Sequence, residues 1–261
     1  MNRSRRTAFL ILSCDAYSGL WDAHFRCLNK YWADCPFPKY ILTNNKDFDR
    51  PGIQTIKVGE DVTWSANLLK ALQLLKQEYN YVLVTFDDLF LVEKVNSRRL
   101  DTVLDSFHSL DGQFLQLIKW YNRPRKVNDH LGLVEKHSLY RPNCVFTLWN
   151  ISVLEGLLMP EENAWEFEKK GSARSDNYEG FYVVLKTVFN YRNTVITGRI
   201  VPKDARLFGL VNSGKLKVMT LRESIHFRLR YWAFSLFLVL IPHKWQISAA
   251  AIKNHVLGRS V

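Results

Sequence analysis

The stretch "YVLVTFDDLFLVEKV", Tyr81 to Val95, constrains the fold of this chain more than any other. Its opening run of aliphatic, β-branched and aromatic residues suits a strand covered on both faces, the pattern of a parallel sheet. Two adjacent acids, Asp87 and Asp88, then interrupt the burial, and a second apolar run follows at once. Adjacent carboxylates repel each other when ionised, and a hard cation such as Mg²⁺ or Mn²⁺ relieves that repulsion while bridging to a diphosphate. In open α/β sheets ligands bind beyond the carboxyl ends of the strands, so the pair stands where a site is expected. The competing reading makes one acid a loop cap and the other a solvated charge, but "LFLV" leaves little room for a surface turn.

The residues before that stretch alternate as βαβ units do. Ala8–Leu12 reads as a strand, Leu20, His24, Leu28 and Tyr31 recur at helical spacing, and Tyr40–Leu42 reads as a second strand. After the loop "TNNKDFDRPG" comes a short strand at Ile53–Val58. In "TWSANLLKALQLLKQEY", Trp64, Leu68, Leu72 and Leu75 share one helical face, with Thr63 placed as N-cap. Further on, the pattern predicts a helix over Ser97–Leu110, a strand near Phe114–Ile118, a polar loop at "YNRPRKVNDH" and short apolar pieces ending with Ile151–Leu158 before Pro160.

With 261 residues and 47% hydrophobic content, the chain suffices for one large domain. Arg3, Arg5 and Arg6 precede an apolar run as in an export signal, but only Ala8–Leu12 is continuously apolar. That is shorter than the roughly 7 to 15 residues of an export h-region, so a first core strand is expected. Cys14, Cys27, Cys35 and Cys144 form no CxxC pair and no metal-finger spacing, and they read as reduced thiols of a cytosolic protein. No Walker-type or dinucleotide glycine motif is present, nor is "GxSxG".

The formal charge of +11 suggests a polyanionic partner: nucleic acid, an anionic membrane surface or a phosphorylated substrate. From Ser224 to Val261 there is no Asp or Glu, while Arg228, Arg230, Lys244, Lys253 and Arg259 flank an aromatic and aliphatic core. The apolar part, Tyr231 to Pro242, falls short of the about 20 residues that span a bilayer. A basic, apolar segment of this kind is expected to lie in a membrane interface; the competing reading packs it on the domain core.

The segments "LILSCDAYSGLWDAHFRCLNKYW", "ILTNN", "TWSANLLKAL", "YVLVTFDDLFLV" and "NAWEFEKKGSARS", spread over roughly residues 8 to 175, resemble the GT-A glycosyltransferases, particularly those of bacterial surface-polysaccharide (O-antigen or capsule) synthesis. The resemblance implies an α/β fold, a Rossmann-type mixed sheet flanked by helices, with a basic amphipathic C-terminal helical segment. It divides the chain into a glycosyltransferase domain over 1–223, with a nucleotide-sugar half at 8–95 and an acceptor half at 96–223, and a membrane-associating segment at 224–261. In the family a short acidic motif, usually DxD, holds a divalent cation against the donor's diphosphate. Here Asp88, supported by Asp87, takes that place and implies Mn²⁺ or Mg²⁺, although the sequence has DD followed by Leu89 and Phe90. Asp15 and Tyr17 after the first strand and Asn44 after the second would contact the nucleotide.

An inverting sugar transfer needs a carboxylate to take the acceptor's proton. In "NAWEFEKKGSARS", Glu168 is the first candidate and Glu166 the alternative, with Trp165 and Phe167 offering apolar faces to a sugar ring. The competing reading makes both acids ordinary first-turn residues of a helix. Arg174, and the basic loop residues Arg123, Arg125 and Lys126, are candidates for binding phosphates. His130 and His137 flank the strand-like "LGLV" and are expected to be structural or acceptor-side residues. The expected partners are a nucleotide-sugar donor, a glycan or lipid-linked oligosaccharide acceptor and an anionic membrane, with a cytoplasmic location on the membrane's inner face. A metal-dependent nuclease or nucleic-acid-binding protein is the rival reading. It would need basic residues interleaved with aromatics along one exposed face, whereas here the acid-free surplus gathers beside the apolar tail, so no nucleic-acid partner is expected. A third reading, a non-catalytic membrane scaffold, leaves the buried acids unexplained.

Overall fold

The computed structural model describes residues 6–119, 124–211 and 216–225, together with 229, 232 and 236. In chain order the elements are β1 (Thr7–Leu12), α1 (Ser18–Tyr31), β2 (Lys39–Thr43), β3 (Ile53–Lys57), α2 (Trp64–Leu75), β4 (Tyr81–Phe86), β5 (Leu89–Leu91) and α3 (Ser97–Ser109). Then come β6 (Phe114–Gln116), β7 (Arg125–Lys126), β8 (Leu131–Leu133), β9 (Thr147–Asn150), α4 (Ile151–Leu157), α5 (Ala164–Arg174) and β10 (Phe181–Val184). Last are β11 (Tyr191–Asn193), β12 (Val195–Ile196), β13 (Arg199–Ile200), α6 (Pro202–Phe208) and β14 (Lys217–Val218).

Nine strands form one mixed sheet in the order β3-β2-β1-β4-β9-β6-β10-β8-β7. The first four are parallel, β9 runs antiparallel between β4 and β6, and β6 and β10 are parallel to each other. The carboxyl ends of β1, β2, β3, β4, β6 and β10 therefore share one edge of the sheet. Residues 8–95 supply β3, β2, β1 and β4, and residues after 95 supply the rest of the same sheet.

Both faces of the sheet are covered, which explains why β1 and β4 read as continuous apolar runs rather than alternating ones. On one face Phe9, Ile11, Leu83, Leu115 and Tyr182 pack with Trp21, Phe25 and Leu28 of α1 and Val103 and Phe107 of α3. On the other, Leu10, Val84, Phe114, Trp149 and Phe181 pack with Leu68 and Leu72 of α2, Leu154 of α4 and Phe167 of α5. A third cluster joins Leu20 and Ala23 of α1 to Phe90, Val195, Ile200 and Ala205. It seats two small sheets, β11-β5 and β12-β13-β14, below the end of β4.

The N-terminal run is the core strand it was expected to be, fully buried along its length. Helix α2 starts where its cap predicts, with the Thr63 hydroxyl accepting from the Ala66 amide at 3.0 Å. The apolar piece at Ile151 is a helix because the Asn150 side chain caps it, accepting from Ser152 and Val153. The strand expected to reach Ile118 stops at Gln116. "LGLV" contains β8, so His130 and His137 do not share a helical face; His137 instead pairs with Asp176, its Nδ1 at 2.7 Å from the carboxylate. Arg125 and Lys126 sit on the edge strand β7 and pair with Glu135 and Asp129. Arg123, and nearly all of the segment 224–261, lie outside the described residues.

Thr63 does two things at once: it caps α2 and donates its hydroxyl to the Pro160 carbonyl, tying the helix start to the loop that leads into α5. Thr63→Ala is expected to lower unfolding free energy by about 1 to 2 kcal/mol, read as a lower urea midpoint with an unchanged slope.

Candidate active site

The turn between β4 and β5 carries the acid pair. The Asp87 amide donates to the Leu12 carbonyl at 3.1 Å, so the last residue of β1 fixes the turn. Behind the Asp87 carboxylate, Ser13 donates its hydroxyl to Oδ2 and receives the Trp21 indole N–H at 2.7 Å. The Asp88 carbonyl accepts from both the amide and the hydroxyl of Thr194 at 2.8 Å, which moors the turn to the strand-rich C-terminal part. Beneath it the buried His24 ring lies edge-on to Phe25 and Phe90, and burial holds it neutral, its pKa pushed down to about 4.

Burial drives both carboxyls upward in pKa, and for Asp87 the neighbouring Asp88 charge adds to the rise. Ser13 and Trp21 work against this at Asp87, whereas at Asp88 the opposing influence is its own backbone amide. Asp87 is thus held from behind by Ser13 and Trp21, while at Asp88 only its own backbone amide favours the charged form. The half-buried Tyr17 phenol faces the pair: burial and then the charges of Asp88 and Asp87 raise its pKa to about 12.

Asp15 and Asn44 meet at the adjoining strand ends. The Asp15 carboxylate accepts from the amides of Asn44, Asn45 and Lys46 at 3.0 to 3.2 Å, and Asn44 Oδ1 accepts from the Asp15 amide at 3.0 Å. Asp15 is therefore occupied as a clamp between the ends of β1 and β2, while the buried Asn44 Nδ2 has no hydrogen-bond partner among the described residues. Arg174 departs from the expectation of a phosphate ligand. Its two terminal nitrogens bind the buried Glu162 at 2.8 and 2.5 Å and its Nε donates to the Leu157 carbonyl, so the fork a phosphate would need is taken.

The two late glutamates diverge. Glu166 closes a reciprocal cap with Asn163 and pairs with Lys170 at 3.1 Å, the work of a first-turn acid. Glu168 turns inward instead, where burial raises its pKa to about 7 against the Cys144 backbone N–H, which favours its ionised form. Three rings link it to the acid pair: Phe86, beside Asp87, stacks on Trp64 at 6.3 Å, and Trp64 lies 5.5 Å from Phe167, beside Glu168. The structure thus brings Tyr17, Asp87 and Asp88 together, and the ring contacts run from Phe86, next to Asp87, to Phe167, next to Glu168. It gives Glu166 and Arg174 to local structure.

The donor set suits a hard cation, since it offers carboxylate oxygens. Among the described residues no group of three or more His, Cys, Asp or Glu side chains could hold a metal by itself. Two carboxylates completed by phosphate oxygens are the usual complement for Mg²⁺ or Mn²⁺ on a nucleotide. Sequence reasoning did not reach Ser13 and Thr194, whose bonds to the turn span 74 and 106 residues, nor Trp21, which acts on the turn by donating to Ser13.

No protein-family model matches the sequence, and no curated protein matches it. Solved structures match in shape. S. aureus TarS superposes with a TM-score of 0.51 at 13% identity, over 96% of this chain and 43% of that one, so the chain spans under half the length of that protein. An active-site mutant of LgtC superposes at 0.42 with 12% identity, over 92% of this chain and 99% of that one. The galactosyltransferase LgtC with donor and acceptor sugar analogues does so at 0.38 with 11% identity and the same coverage. At such identities the likeness concerns the fold alone, a large mixed sheet flanked by helices.

Glu168 makes a testable demand on stability. Its carboxyl titrates near 4.5 when unfolded and at about 7 when folded, so the stability it contributes is complete below pH 4.5 and lost as pH rises through 7. Glu168→Gln keeps an acceptor for Cys144 and carries no charge. The variant is expected to melt above the wild type at about pH 8, by on the order of 2 to 3 kcal/mol in unfolding free energy, with the difference vanishing once the pH falls below the unfolded value.

Proposed function

We propose that this protein is a glycosyltransferase moving a sugar from a nucleoside-diphosphate donor to a glycan acceptor in surface-polysaccharide synthesis. The observation that carries the reading is the pairing of two distinct carboxylate centres across one aromatic floor at the carboxyl edge of the sheet: Asp87 and Asp88 at one end, Glu168 at the other. One centre suits a cation-bound diphosphate and the other suits a base.

Asp88, backed by Asp87, would hold Mn²⁺ or Mg²⁺ against the donor's diphosphate. Such a cation, when bound, offsets the negative charge that gathers on a departing diphosphate. Tyr17 and Asn44 would contact the nucleotide, with Asp15 clamping the Asn44 backbone between the ends of β1 and β2. In the transfer, the acceptor oxygen forms its bond to the anomeric carbon as the bond from that carbon to the diphosphate oxygen breaks. The bonding pair leaves with the diphosphate, and the acceptor's hydroxyl proton passes to the Glu168 carboxylate. A base with a pKa of about 7 is well matched to this task at neutral pH, and attack from the face opposite the diphosphate inverts the anomeric centre.

The tail supports a lipid-linked acceptor at the inner face of the cytoplasmic membrane. Leu221, Ile225, Leu229, Trp232 and Leu236 are all exposed, and their spacing of four, four, three and four places them on one helical face. Among the described residues no helix is long and apolar enough to cross a membrane. An exposed apolar stripe that runs into a basic sequence free of Asp and Glu from Ser224 onward fits an anionic interface.

Two measurements test this reading. Hydrolysis of a panel of nucleotide sugars should require Mn²⁺ or Mg²⁺ and should fall by about a hundredfold or more in Asp88→Asn; an Asp88→Asn enzyme as active as wild type would refute the assignment. Removing the residues after Ser224 should release the protein from anionic liposomes in co-sedimentation, while undiminished binding would dismiss the interfacial role of the tail.

A further inference from the structure

Trp165, in the first turn of α5, is 67% exposed, whereas Phe167, two positions on, is fully buried against Trp64 and Trp149. A helix turns by about 100° per residue, so Trp165 points nearly opposite to Phe167. Glu168 falls between them, about 100° round the helix from the buried ring and about 60° from the exposed one. It is half-buried accordingly, at the border between core and solvent. Trp165 and Glu168 are three positions apart, a spacing that makes side chains neighbours on one helix face with about 5 to 6 Å between their Cβ atoms. The exposed indole therefore adjoins the carboxylate assigned above as the base.

The turn that carries Trp165 is tied to the carboxyl edge of the sheet. The Pro160 carbonyl accepts from the Thr63 hydroxyl and the Glu162 carbonyl from the Ser65 amide at 3.2 Å, so α2 and α5 begin side by side. Trp64, the first residue of α2, stacks at 6.3 Å on Phe86, the last residue of β4. The reciprocal cap of Asn163 and Glu166, with the Glu166–Lys170 pair, stiffens the turn. Trp165 takes no part in any of this: among the described residues its ring meets no other ring or cation and its N–H no acceptor. The surroundings select what covers it. Glu161, Glu166 and Glu168 lie within four positions of it, a cluster of acids that an anionic membrane repels, unlike the acid-free tail. Lys169 and Lys170 follow and break up any broad apolar face of the kind that protein partners cover. A single indole bounded by charged, hydrogen-bonding groups matches a ligand with one apolar face and a rim of hydroxyls, which is a sugar ring.

We propose that Trp165 is the platform of the acceptor subsite: the terminal pyranose of the acceptor stacks its C–H face on the indole and presents a hydroxyl from its rim to Glu168. The ligand class is a glycan that ends in a pyranose with one face of C–H groups, as gluco- and galacto-configured rings have. The platform orients the acceptor, and the proton transfer remains the work of Glu168. This proposal rests on the glycosyltransferase reading and gives its acceptor side a residue outside both acidic centres.

The test follows transfer from a panel of nucleotide sugars to a panel of methyl pyranosides, with hydrolysis of the same donors recorded alongside, for wild type, Trp165→Ala and Trp165→Phe. Trp165→Ala is expected to raise the KM of the preferred pyranoside by about tenfold and to lower the ratio of transfer to hydrolysis by a similar factor. Trp165→Phe, which keeps a smaller ring, is expected to recover most of that loss. Both variants should melt with wild type, because the exposed ring packs on nothing in the free protein. An unchanged KM and ratio in Trp165→Ala would overturn the proposal. So would a Trp165→Ala that loses binding to anionic liposomes while its KM stays the same, since the ring would then belong to a membrane surface. A wild type that hydrolyses donors yet transfers to no pyranoside also overturns it, whereas one that hydrolyses no nucleotide sugar defeats the glycosyltransferase reading itself.

Discussion

Two like charges buried at the end of a core strand are the constraint around which the rest of this structure is arranged. Burial alone pushes both carboxyls toward their neutral forms, and their proximity pushes further. The fold answers with a bracket on either side: Ser13 and Trp21 from the β1–α1 junction behind Asp87, and Thr194 from the far end of the chain beneath Asp88. Neither bracket neutralises the pair. They fix its geometry and leave its charge unmet; on the reading proposed above, a cation and a diphosphate would meet it.

The sheet order follows from the same demand. Parallel strands β3-β2-β1-β4 bring three loops, those after β1, β2 and β4, to one edge. The antiparallel β9 then separates that half from β6 and β10, and its preceding loop carries Asn143 and Cys144 to the rim. Helix α5 packs through Phe167 on the sheet face that carries Phe114 of β6. Trp64 makes the join between the end of β4 and α5: its ring meets both Phe86 and Phe167.

Local pattern carried much of this. The helical spacing through Leu20, His24, Leu28 and Tyr31, the Thr63 cap and the double-sided burial of "YVLVTF" are set by residues within one or two turns of each other, and they are where the pattern puts them. The position of Asp87 and Asp88 at a strand's carboxyl end was legible for the same reason. What was not legible depends on partners distant in the chain. Arg174 looked like a phosphate ligand because nothing in its neighbourhood shows that Glu162 will be folded back onto it. Glu166 and Glu168 differ by two positions, which on a helix turns one to solvent beside Lys170 and the other inward to Cys144; sequence offered both and packing separated them.

Several unmet groups also share a location, and that is informative in itself. The like-charged pair, the unpaired Asn44 and Asn143 amide nitrogens and the doubly unpaired Gln116 all stand on the carboxyl edge or in the loops above it. The guanidinium groups drawn into the fold are treated differently: Arg141 finds three carbonyls, Arg174 finds Glu162, and Arg192 finds Asp204 at 2.5 Å. A fold that satisfies these cations yet leaves acids and amides open along one edge holds that edge at a cost in stability. On the reading proposed above, a cation and the diphosphate of a donor would meet the acid pair at that edge.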